Sequence, residues 1–112
     1  METKAKRTLV KSAPEIWGLA DDLARMEAWM AGLVGSTHPV SVEVTDREPE
    51  RILAWRTREL PFGRIALELS EKGFGTAVVI TAQHVRDTGA EAVLEQVLDE
   101  LASPERRPFA HV

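Results

Sequence analysis

Strict alternation of apolar and polar side chains marks several stretches of this chain as half-buried strands. In VSVEVT, residues 40–45, Val40, Val42 and Val44 fall on one face and Ser41, Glu43 and Thr45 on the other. In RILAWRTRE, residues 51–59, Leu53, Trp55 and Thr57 oppose Ile52, Ala54 and Arg56. RIALELSE, residues 64–71, puts Ile65, Leu67 and Leu69 on one side. TAVVITAQHV, residues 76–85, reads as a strand with both faces largely apolar in its first half. A shorter candidate, KRTLVK at 6–11, centres on Leu9 and Val10.

Two other stretches follow the helical period. Ser12-Ala-Pro-Glu15 has capping-box spacing, with Pro14 in the first turn where its missing N–H has no partner to lose. Ile16, Leu19, Leu23, Met26 and Met30 then recur in steps of three and four. Asp21 and Asp22 interrupt that stripe and can cap a second helix from Leu23, so two short helices or one kinked helix are expected. Residues 89–102, GAEAVLEQVLDELA, carry Val93, Leu94, Val97, Leu98 and Leu101 on one side and Glu91, Glu95, Asp99 and Glu100 on the other. Pro104 ends this helix, and residues 104–112 form a tail expected to be loosely held.

Gly- and Pro-bearing segments separate these elements: AGLVGSTHP at 31–39, the polar turn DREPE at 46–50, LPFG at 60–63 and the hairpin KGFG at 72–75. The order is β-αα-β-β-β-β-α. Short turns join the last four strands, which predicts an antiparallel meander. The apolar stripes of the helices need a sheet to cover, so the fold class is a two-layer α+β domain spanning 1–103.

A length of 112 residues suits one domain, and 44% apolar with 29% charged residues suits a folded one. Net charge is −4, without a basic block and with only three Phe and three Trp, which argues against a nucleic-acid groove. There is no cysteine, which excludes disulfides and thiolate chemistry. METKAKRTLVKS has no apolar core, so it is not read as a signal peptide, and no run approaches the ~18 residues of a membrane span. A cytoplasmic protein is the expectation.

Three motifs occur together in order. Ser12, Glu15, Trp17, Asp22 and Trp29 lie in SAPEIWGLADDLARMEAW; VTDREPERILAW is a strand, Pro-turn and strand ending in Trp; EKGFGTAVVITAQ is a Gly-x-Gly-Thr hairpin entering a long strand. With the long C-terminal helix, this order resembles the START-like helix-grip superfamily (SRPBCC), of polyketide cyclase/dehydrase type. The resemblance implies a curved antiparallel sheet gripping that helix, with a cavity for apolar ligands between them. Members usually carry two further strands before the Pro-turn hairpin. The nine residues 31–39 cannot supply them. A shortened sheet of about five strands follows, with the strand at 40–45 as an exposed edge.

On this reading the chain is a non-catalytic binder of an apolar or amphipathic small molecule. Its ligand set is Trp17, Met26, Trp29, Trp55, Phe62, Phe74, Val97 and Leu101. No cofactor is implied. Two alternatives stay open. One is a pocket-less interaction module, a homodimer that pairs or covers its exposed edge. The other is a cyclase/dehydrase-like enzyme in which His84, Arg56 or Glu68 moves protons. The simplest place for His84 is the solvent-facing end of its strand. His38 and His111 lack ligand spacing with it, so no metal site is expected.

Overall fold

The computed structural model describes residues 1–85 and 89–103. Its elements are β1 (Glu2–Leu9), α1 (Ala13–Ala20), α2 (Leu23–Val34), β2 (Val42–Glu48), β3 (Ile52–Thr57), β4 (Gly63–Lys72), β5 (Gly75–His84) and α3 (Ala90–Ala102). The five strands form one antiparallel curved sheet in the order β1-β5-β4-β3-β2. The helices pack on one face of it, and this is a helix-grip α+β fold. Pro104 and the 104–112 tail lie outside the described residues.

β1 starts earlier than its sequence suggests. Its inward positions are Thr3, Ala5, Arg7 and Leu9, and only Leu9 is large and apolar. The period-two signal is therefore nearly silent. Val10, expected in the strand, is 91% exposed just beyond it. β1 pairs with β5 along its whole length, so the first and last strands are neighbours.

The helix starts follow the capping chemistry. The Ser12 hydroxyl and the Glu15 carboxylate complete a reciprocal capping box. Asp22 accepts from the amides of Ala24 (3.0 Å) and Arg25 (3.3 Å), which settles the choice in favour of two helices. Leu23, placed in the apolar stripe by its spacing, is instead 57% exposed, because it is the first residue of α2 and turns outward. Ile16 and Ala20 of α1 and Met26, Trp29, Met30, Leu33 and Val34 of α2 bury the stripe.

β2 also departs from strict alternation. Its pairing with β3 slips between Val44 and Asp46, leaving Thr45 as the extra residue of a bulge. The strand starts at Val42 rather than Val40 and runs through Asp46, Arg47 and Glu48, where a turn was expected. Bulge and charges together blunt the edge against pairing with another strand.

Side chains from both layers fill the core. Leu53, Trp55, Ile65, Leu67 and Ile80 of the sheet and Leu94, Val97, Leu98 and Leu101 of α3 have 0% exposure. A void large enough for water would expose part of the side chains lining it. Among the described residues, packed side chains occupy the layer between sheet and α3 where a cavity was expected.

Candidate functional site

The open space lies at the ends of the grip. One cleft, of about 660 Å³, is lined by Met1, by Glu2 and Thr3 of β1, by His84 at the end of β5, and by Gly89, Ala90, Glu91 and Ala92 at the start of α3. A neighbouring cleft of about 470 Å³ shares Met1, Glu2 and His84 and adds Phe62, Gln83 and Val85. Local pairing builds this end. The backbones of Met1 and His84 exchange hydrogen bonds of 3.0 Å in both directions. Gly63 faces His84 across the β4–β5 ladder. The Gly63 amide donates to the Thr57 hydroxyl at 3.1 Å, which closes the loop that carries Phe62.

His84 is not at the solvent face. It shares the inward face with Thr76, Val78, Ile80 and Ala82 and is only 5% exposed. Its Nε2 lies 2.9 Å from the Thr3 hydroxyl. It is the one buried ionisable side chain among the described residues, and it lines both clefts at this end. Around it the cleft offers the Thr3 hydroxyl, the Glu91 side chain and the apolar groups of Met1, Ala90 and Ala92, with Glu2 at its edge.

The proton-transfer set does not assemble. Arg56 and Glu68 are exposed on the outer face of the sheet, while His84 faces inward. Arg56 is paired with Glu43 across β2–β3, its Nε 2.6 Å from Oε1. The sheet itself separates these groups, so no shared acid/base centre forms.

The expected ligand set divides three ways. Met26, Trp29, Trp55, Val97 and Leu101 are buried in the packed core, and Trp17 is half-buried against it. Trp29 and Trp55 stack with ring centroids 6.0 Å apart and planes tilted by 34°. Among the described residues the Trp55 indole N–H has no hydrogen-bond partner. Phe62 is half-buried at the His84 end. Phe74 sits fully exposed on the β4–β5 turn, at the opposite end of the hairpin, beside a cleft of about 560 Å³. Of the eight, Phe62 alone lies beside His84. The pattern gave no signal for Thr3, Glu91 or Ala92, which are small or polar and gain meaning only through the β1–β5 pairing.

Among the described residues no group of three or more His, Asp or Glu is placed to hold a metal ion. Nor is any helix there long and apolar enough to cross a membrane.

Fold and site together define a helix-grip α+β domain with open clefts at the ends of its sheet. Solved structures share the fold. A protein of Deinococcus radiodurans, DR_A0006, superposes with a TM-score of 0.66 at 18% identity, covering 91% of this chain and 94% of its own. CalU16 of Micromonospora echinospora gives 0.63 at 19%, covering 92% and 76%. The Aha1 dimer of Colwellia psychrerythraea gives 0.65 at 16%, covering 91% and 96%. At these identities the likeness concerns the fold alone, which is compatible with the START-like architecture. No family model and no curated protein matches the chain.

Proposed function

We propose that this chain is a non-catalytic, cytoplasmic helix-grip domain that binds a small apolar or amphipathic molecule at the mouth of the grip rather than inside it. The observation that carries this reading is the cleft of about 660 Å³ with buried His84 in its wall, a volume in the usual range for small-molecule sites. Met1, Ala90 and Ala92 would meet the apolar part of the ligand, and Thr3 and His84 would orient its polar group. Anilinonaphthalene sulfonate is a suitable amphipathic probe. Titrated into labelled protein, it should shift the amide resonances of Thr3, His84 and Gly89 to Ala92 and leave those of Phe74 and Gly75 unchanged. No shifts up to millimolar probe, or shifts confined to the Phe74 end, would count against this site.

A second reading is a self-pairing interaction module. The filled interior favours it, and one protein of the same fold is a dimer. Light scattering from micromolar to millimolar concentration tests it directly.

A further inference from the structure

The outer face of the sheet, turned away from the helices, is complementary to itself. β5 lies between β1 and β4 and points Ala77, Val79, Thr81 and Gln83 outward. The outward residues of β1 and β4 flank it in matched rows. Glu2 and Arg64 stand on either side of Gln83, Lys4 and Ala66 beside Thr81, Lys6 and Glu68 beside Val79, and Thr8 and Ser70 beside Ala77. Lys4, Lys6 and Glu68 are exposed, and none enters an ion pair among the described residues. Ala77, Val79 and Thr81 are half-buried small side chains that form a low central strip.

We infer that this face is the contact surface of a homodimer whose twofold axis runs along β5. The inference rests on the self-pairing reading and names its surface. In a twofold contact, residue i meets j wherever j meets i. Rotation about an axis along β5 lays β1 of one copy over β4 of the other. Lys6 then faces Glu68 of the second copy, Glu2 faces Arg64, Thr8 faces Ser70, and Val79 meets its own counterpart. Each pair of unlike residues occurs twice, and the Val79 contact once. Sheets that pack face to face stay roughly aligned at ~10 Å separation, which Lys and Glu side chains can span together.

Three other axes set like charges together. Along β4, the rotation sets Glu68 against Glu68. Along β3, it sets Glu68 against Glu48, since both flank Ile52. An axis across the strands level with Ala5 lays β1 on β1 and sets Lys4 against Lys6 of the second copy. Lys6 with Glu68 is the diagnostic pair, because Arg64 already holds Asp46 at 3.1 Å within one chain.

Sedimentation equilibrium on the full chain tests this with Lys6→Glu, Glu68→Lys and the double exchange. Both positions are exposed, and circular dichroism checks that the fold is kept. Each single reversal should weaken the dimer by about tenfold or more, since it sets like charges together twice, and the double exchange should restore it. A dimer indifferent to both reversals, or a double exchange as weak as the singles, overturns this surface while leaving self-pairing intact. A wild-type protein that stays monomeric to millimolar concentration overturns both.

Discussion

The His84 imidazole lies 2.9 Å from the Thr3 hydroxyl, and this contact ties the end of the last strand to the beginning of the first. The two residues are 81 positions apart in sequence, so the bond has meaning only in the folded sheet. Thr3→Val keeps the branched shape and removes the hydroxyl. It should cost about 0.5–1.5 kcal/mol, the usual net worth of such a bond. Urea unfolding measures it. An unchanged midpoint and slope would mean that the contact adds nothing to stability.

Two glycines make opposite predictions. A Cβ built on Gly75 would collide with the backbone carbonyl of Leu9, which belongs to the β1–β5 ladder and cannot turn aside. Gly75→Ala should therefore push the two strands apart at the start of β5 and lower the melting temperature. Gly18 lies inside α1, and a Cβ there meets nothing within 4 Å. Gly18→Ala should stabilise by about 0.5–1 kcal/mol through helix propensity. Thermal unfolding of the two variants should bracket the wild type.

What the sequence made legible follows from the size of the side chains. Strands β3 and β4 gather their larger apolar side chains on one face, and Leu53, Trp55, Ile65 and Leu67 of that face all lie in the core. The caps at Ser12 and Asp22 rest on local hydrogen bonds, and local chemistry can be read locally. β1 hid because Thr3, Ala5 and Arg7 do not look like an inner face. The bulge at Thr45 hid because nothing in VSVEVT announces an extra residue. The site was the least legible part. Whether a grip is hollow depends on how two layers meet, and His84 joins Thr3 only through a pairing between opposite ends of the chain.

Glu15 gives a pH prediction. Its carboxylate accepts from the Ser12 amide at 3.1 Å and the Ser12 hydroxyl at 2.9 Å. The backbone bond first, then the hydroxyl, lowers its pKa below the ordinary glutamate value. A carboxyl with a lowered folded pKa stabilises the fold at pH above its unfolded value, and that stabilisation is lost as pH falls through the folded value. Wild type should thus be more stable than Glu15→Gln at neutral pH. The difference should close as the solution is acidified below the normal carboxylate range. A difference independent of pH would show that the charge of Glu15 plays no part in the cap.

The filled interior makes its own prediction. Leu98 of α3 has 0% exposure, and so do Leu53, Trp55 and Leu67 of the sheet. Leu98→Ala removes volume that a packed core cannot recover by collapse, which should cost about 2–5 kcal/mol. A whole domain is stable by only about 5–15 kcal/mol, so the variant should fold with a lowered melting temperature. The cavity left behind would be apolar and dry, and such cavities take up benzene or xenon. Benzene should therefore raise the melting temperature of Leu98→Ala and leave that of the wild type unchanged. A benzene-stabilised wild type would mean that space already exists beneath α3, and the ligand site would then move from the mouth of the grip to its interior.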